Sequence, residues 1–297
     1  MKEIVYDNLN YLYVWITLIE EMNYLTYIRL LKTFHSVQNL YVISKQKNKL
    51  NNILVQNNII LSKKLIDQLT SFNLKEFSLK IYNNLINQNI EIIHIEDLRF
   101  PKNKFYNMYN KPICLFMYGN TNKLKEKIIY IHKEDFNKYG EYIYGIFIDY
   151  INNQKWNSIL NIEGFEIDCK HFKRDNYNNI YVVNKNIFSI NFTVENYIRK
   201  NSNNLYIFVP NNFYEISKNK MYLTELIVSF SNICIIPQAK YDKKMYTKNI
   251  VDLFLEQGKN VLVVPGSIYC KYSYFSNYLI KEGAEVILNK NDINKYL

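Results

Sequence analysis

Glycine is scarce in this chain: seven residues in 297, and none before Gly119. Tight glycine hairpins are therefore excluded from the first third, where asparagine must serve the turns. The glycines are also too few and too badly placed for a G-x-G-x-x-G dinucleotide fingerprint or a Walker loop. There are four cysteines, Cys114, Cys169, Cys234 and Cys270, and no C-x-x-C pair. That suits reduced thiols in a cytosol rather than a disulfide frame or a zinc site. No apolar run approaches the roughly 18 to 20 residues that cross a bilayer. The opening "MKEIVYDNLNYLYVW" carries Glu3 and Asp7 and lacks the order of a signal peptide. A cytoplasmic protein with no membrane partner is the expectation.

Hydrophobic residues make up 48% and charged residues 22%, enough to bury a core. The net charge is +10, and the pI is about 9.1. A basic balance invites a polyanion such as nucleic acid. Lysine, asparagine, isoleucine and tyrosine dominate throughout, however, as AT-rich codons produce. Charge alone does not decide the partner.

Residues 1–88 read as an N-terminal helical domain. Leu12, Trp15, Ile16 and Ile19 fall at helical spacing, as do Leu30, Leu31 and Phe34. "SKKLIDQLTSFNLKEFSLKIYNNLINQ" continues the pattern, with Ser62 as N-cap. Residues 89–125 form an extension and linker segment. It has strand-like "IEIIHI" and "ICLFMY" runs, broken by Pro101, Pro112 and Gly119.

Residues 126–297 alternate short apolar strands with helical stretches. The strands are 128–131, 158–162, 180–183, 205–209, 233–236, 260–264 and 285–288. Their Ile/Val-rich character fits strands buried on both faces. In "KMYTKNIVDLFLEQG", Tyr246, Ile250, Val251, Phe254 and Leu255 make one helix face, and Gly258 sits where a C′ glycine belongs. Repeated βα units predict an α/β fold with a doubly wound, mostly parallel sheet. Ligands on such sheets bind beyond the carboxyl ends of the strands, where Pro265-Gly266-Ser267 lies.

"LFLEQGKNVLVVPGSI" followed by "SNYLIKEGAEVILNKNDI" resembles the C-terminal signature of the DNA-processing protein A (DprA/Smf) family. Glu256-Gln257-Gly258, Pro265-Gly266-Ser267, Asn277, Leu279, Ile280 and Glu282-Gly283-Ala284 match in order and spacing. Upstream, Asp97, Phe100-Pro101, Pro112 and Gly119-Asn120 are similar to another family segment. The resemblance implies a Rossmann-like domain preceded by a small all-helical domain of the SAM or helix-hairpin-helix kind. It also implies single-stranded DNA binding, homodimerisation through the Rossmann-like part, and loading of RecA during natural transformation.

The chain departs from that pattern where phosphate is gripped. His132, Lys133 and Glu134 stand in place of Gly-Ser-Arg, although Tyr139-Gly140 matches. Glycine admits backbone N–H groups to a phosphate and arginine supplies a bidentate fork. Neither is here, and Glu134 repels phosphate. "NIEGFEID" keeps only Ile167-Asp168 of a second element, and Tyr222-Leu223-Thr224-Glu225 replaces an Arg-Arg-Asn-Arg run. A Ser-Gly loop of the family falls near Met245-Tyr246.

The candidate DNA-binding residues are accordingly Gly266, Ser267 and Asn277 from the signature, with Lys133, Lys243, Lys244 and Lys248 as substitute phosphate contacts. Tyr269, Tyr272 and Tyr274 flank the loop as stacking partners for bases. Asp168-Cys169-Lys170-His171 has too few ligand types and no distant partner to hold a metal. No catalytic motif is present, so neither an enzyme nor a cofactor is expected. The leading reading is a single-stranded DNA-binding recombination mediator. The alternatives are a degenerate scaffold of the same fold and a nucleotide-binding Rossmann-like module.

Overall fold

The computed structural model describes residues 9–133, 136–162, 179–184, 187–189, 193, 203–209, 216–241 and 246–297. Among the described residues six helices come first: α1 (Asn10–Leu18), α2 (Tyr24–Phe34), α3 (Val37–Ile43), α4 (Lys47–Gln56), α5 (Lys63–Thr70) and α6 (Phe72–Asn87). Polar side chains start most of them. Asn23, Ser36, Ser62 and Ser71 accept hydrogen bonds from Thr26, Asn39, Leu65 and Leu74 N–H groups. The Ser71 cap splits the long helical run expected over 62–88 into α5 and α6. Turns here use left-handed residues other than glycine: His35 at φ 65°, Asn58 at 54° and Asn89 at 57°. Asparagine tolerates that region because its amide bonds locally. α1 buries Leu12, Tyr13, Val14, Trp15 and Ile16 around much of its circumference, and it is the central helix of this layer.

The sheet has strands β1 (Glu91–His94), β2 (Cys114–Gly119), β3 (Ile128–Ile131), β4 (Asn157–Ile162), β5 (Asn179–Asn184), β6 (Leu205–Val209), β7 (Ile233–Ile236), β8 (Asn260–Val263) and β9 (Glu285–Val286). Their order is β1-β2-β6-β5-β4-β3-β7-β8-β9. The pairs β1/β2 and β2/β6 are antiparallel and the rest are parallel. Helices α7 (Lys138–Asn153), α8 (Ile216–Phe230), α9 (Tyr246–Glu256) and α10 (Tyr274–Lys281) accompany the parallel part. The fold is thus the expected doubly wound α/β sheet, extended by an antiparallel edge. The helical layer and the sheet share one continuous core, in which Trp15, Leu40, Leu50 and Leu85 join Ile92, Phe116, Tyr181 and Phe208.

From β3 the chain winds outward through β4, β5 and β6, then returns to β7 on the other side of β3. The crevice at the carboxyl ends of β3 and β7 is therefore the switch point where such sheets bind ligands. Two details differ from expectation. β9 ends at Val286, leaving Leu288 78% exposed. On α9 the buried residues are Thr247, Ile250, Val251 and Phe254, whereas Leu255 is 59% exposed. The inner stripe follows i, i+3, i+4, i+7 from Thr247, and Leu255 lies one step past it.

Candidate nucleic-acid interface

Three loops meet at the crevice: the exit of β3, the exit of β7 and the exit of β8. Backbone bonds carry the parallel ladder to its rim, with His132 N–H donating to Ile235 O at 2.8 Å and Val264 N–H to Ile236 O at 3.0 Å. The glutamine after β7 then ties the loops together. Gln238 Oε1 accepts from Asn137 N–H at 3.2 Å, and Gln238 Nε2 donates to Ser273 Oγ at 3.2 Å. Asn137 in turn caps α7, accepting from Gly140 N–H at 3.1 Å. A Cβ on Gly140 would stand 2.3 Å from Gln238 Oε1, which accounts for glycine after Tyr139.

The Pro-Gly-Ser loop is held as firmly. Gly266 N–H donates to Asn277 Oδ1 at 3.1 Å, and Asn277 Nδ2 donates to Gly266 O at 3.0 Å. A Cβ on Gly266 would lie 2.2 Å from Ser273 Oγ. Tyr139 O–H donates to Pro265 O at 3.1 Å. α10 docks beside the loop through Ala239, whose N–H donates to Ser276 Oγ at 2.7 Å and whose O accepts from Phe275 N–H at 3.0 Å. Asn277 is therefore a positioning residue for the loop. Ser267 is exposed and its Oγ accepts from Tyr269 N–H at 3.3 Å.

On the opposite wall a histidine packs between β3 and α9. His132 is fully buried. Its Nε2 lies 3.0 Å from Thr247 Oγ1 and its Nδ1 3.3 Å from Tyr130 Oη, with the Tyr246 ring centroid at 6.0 Å. Burial lowers its pKa to about 4, so the imidazole is neutral at pH 7. It fills the space beside the first turn of α9 and adds no charge. At the position of the family's arginine run, Leu223 is buried and burial raises the Glu225 carboxyl's pKa, with Glu256 adding to the rise.

Of the predicted contacts, Lys133 is exposed beyond β3, 5.9 Å from the Tyr144 ring centroid, and Lys248 is exposed on the first turn of α9. Gly266, Ser267, Tyr269 and Tyr274 gather on the loop and at the start of α10, with Tyr269 93% exposed. Tyr272 is half-buried, with Lys271 Nζ 5.3 Å from its ring centroid. Lys243, Lys244 and Met245 lie outside the described residues, as do Glu134 and the run Asp168–His171. No group of His, Cys, Asp and Glu suited to a metal ion occurs among the described residues. Sequence reasoning missed Asn137, Gln238, Ser273 and Ser276. The spacing of Ser273, Ser276 and Asn277 on one helical face was a usable signal, whereas nothing marked Gln238.

The other signature residues are architectural too. Gly258 takes φ 69° after α9. Gln257 Nε2 donates to Ser229 Oγ at 3.2 Å, and Asn107 Nδ2 donates to Gln257 O at 3.3 Å. Gly119 takes φ 103°, and a Cβ there would meet Asn204 O at 2.1 Å. The positive charge is also partly turned inward. Lys75 and Lys123 are buried, and Lys104 and Lys259 donate to the last carbonyls of α8, those of Phe230 and Ser229 at 3.1 and 3.0 Å.

No protein-family model matches the sequence, and no curated protein does. Solved structures do match. DNA processing protein A from Streptococcus pneumoniae superposes with a TM-score of 0.68 at 17% identity, over 96% of this chain and 97% of that one. The chain has the fold of DNA processing protein A. The Helicobacter pylori protein of the same name, whose structure concerns its unique single-stranded DNA binding mode, gives a TM-score of 0.53 at 16% identity. That match covers 71% of this chain and 99% of the other. The DprA fold thus accounts for nearly the whole chain, helical layer included. No helix among the described residues is long and apolar enough to cross a membrane.

Proposed function

We propose that this chain is a divergent member of the DNA processing protein A family that binds single-stranded DNA and catalyses no reaction. The observation that carries the reading is the DprA fold over 96% of the chain with its Pro265–Ser267 loop held at the switch-point edge of the sheet. The strand lies along the rim rather than in a phosphate cradle. Lys133 and Lys248, with Lys243 and Lys244 between β7 and α9, meet phosphates, and Tyr269 and Tyr274 stack bases. RecA receives the strand. The protein works as a homodimer, and the exposed Tyr278, Val286 and Leu288 of α10 and the β9 edge support that edge as the contact.

A second reading is favoured by one observation, the neutral imidazole of His132 buried between β3 and α9 at the edge of the crevice. In it the chain is a scaffold that retains fold and self-association without DNA. Titration of a labelled oligo-dT at several salt concentrations separates the two. Micromolar or tighter binding that weakens with salt, and weakens further in Lys133→Glu/Lys248→Glu, supports the DNA reading. Absence of binding at low salt leaves the scaffold.

A further inference from the structure

A groove of about 620 Å³ opens at the other end of the sheet, before the amino ends of β3 and β7. It is separate from the crevice. Its floor is apolar, built by the buried Ile93, Phe100 and Leu124, and the wholly exposed Leu98 stands at its lip. Its walls carry cations on turns that the fold fixes. Lys104 belongs to the 3-10 turn Lys102–Phe105, and Lys125 ends the 3-10 turn Thr121–Lys125. Lys127 directly precedes β3.

The charges do not cancel within the groove. The Arg99 fork is committed to Asp97 and Glu91, both at 2.8 Å. The lining carboxylate Glu126 accepts from Asn157 Nδ2 at 2.7 Å, on the sheet side. Lys125 and Lys127 are exposed and form no ion pair among the described residues, and Lys127 Nζ lies 5.3 Å from the Trp156 ring centroid, a contact it can exchange for a phosphate. Lys104 Nζ is held by Phe230 O at 3.1 Å and Asn232 Oδ1 at 3.5 Å. Its ammonium has a third proton to give. Burial lowers the Lys104 pKa, and an anion beside it would oppose that cause.

We propose that this groove is a second binding site, for a nucleotide unit: phosphate on Lys104, Lys125 and Lys127, and the base against the apolar floor and Leu98. The volume lies within the roughly 300 to 1,000 Å³ of small-ligand sites. Lysines on separate turns suit phosphate as mobile point charges, without the planar fork that carboxylates favour. The same chemistry is offered by a free nucleotide and by one unit of a nucleic-acid strand.

The test uses the full chain and two probes, thymidine diphosphate and a labelled oligo-dT. Calorimetry follows the first at low salt and fluorescence anisotropy follows the second. The Lys125→Glu/Lys127→Glu variant changes exposed residues and should still melt cooperatively, at a cost of no more than the Lys127–Trp156 ring contact. It is expected to lose about ten-fold in affinity for at least one probe, while Lys125→Arg/Lys127→Arg retains it. For the oligonucleotide, the log–log salt slope should fall by about 1.4, two contacts at about 0.7 each. Loss for the diphosphate identifies a free nucleotide as the source, and loss for the oligonucleotide alone identifies a strand. The proposal is overturned if neither probe binds the native protein, or if the variant binds both as tightly. Failure here is distinct from failure at the crevice, because oligonucleotide binding that responds only to Lys133→Glu/Lys248→Glu, with thymidine diphosphate binding unchanged in Lys125→Glu/Lys127→Glu, removes the groove and leaves the crevice.

Discussion

The two walls of the crevice differ in kind. The wall at the exit of β8 matches the DprA/Smf signature, and its matching residues Gly266 and Asn277 serve backbone geometry: Gly266 under Ser273 and Asn277 clamping Gly266, with Tyr139 on Pro265. At the exit of β3 the residues from His132 on differ from the signature until Tyr139-Gly140, and a neutral imidazole packs beside α9. Where the chain matches the signature the side chains hold backbone, and where it differs the buried group is uncharged.

The largest effect expected on this contrast is acid sensitivity centred on His132. Its pKa of about 4 lies below the ordinary value of 6.5, so the unfolded chain binds more protons between those values. Stability is therefore complete above about pH 6.5 and falls as pH drops toward 4, by about 3 kcal/mol in all. Urea melts across that window should show a shallower acid limb in His132→Gln than in the native protein. An unchanged limb would remove His132 as the buried plug.

On the other wall, Gly266→Ala places a Cβ 2.2 Å from Ser273 Oγ and 2.4 Å from Ser273 Cβ. A loss of about 1 to 3 kcal/mol is expected in thermal or chemical melts. Gly258→Ala meets nothing within 4 Å, so only its φ of 69° opposes it, at about 1 to 2 kcal/mol. If the two substitutions reversed in order, the close packing of the loop would be wrong.

Smaller effects divide the rim by chemistry. Tyr269→Ala should weaken oligo-dT binding by about 1 kcal/mol with little change in salt slope. Lys133→Glu/Lys248→Glu should instead lower the slope by about 1.4. Ser267→Ala, at an exposed hydroxyl, should change stability by less than about 0.5 kcal/mol. A salt-slope change in Tyr269→Ala would contradict the assignment of stacking to that residue.

Much of the fold was legible because its signals are local. β3, β6 and β7 fall on the apolar runs at 128–131, 205–209 and 233–236, and Ser62 and Gly258 mark helix ends as their chemistry dictates. Boundaries set by tertiary contact were less so. β9 stops where pairing with β8 stops, not where the apolar run "EVIL" stops. The clamp of Asn277 was legible only as a signature residue, because its partner is a backbone 11 residues away. Gln238 was invisible, since a lone glutamine carries no pattern and its partners come from α7 and the β8 exit. The +10 net charge overstated the surface available to a polyanion, because burial of Lys75 and Lys123 is decided by packing rather than by composition.

The packing of His132 beside α9 is tested most directly by oligo-dT affinity of His132→Gly beside the native protein, at matched salt. Removing the imidazole uncovers Thr247 and the first turn of α9, whose N–H groups favour an anion. Several-fold tighter binding by a variant that still melts cooperatively is the predicted result. Equal or weaker binding by such a folded variant would contradict it.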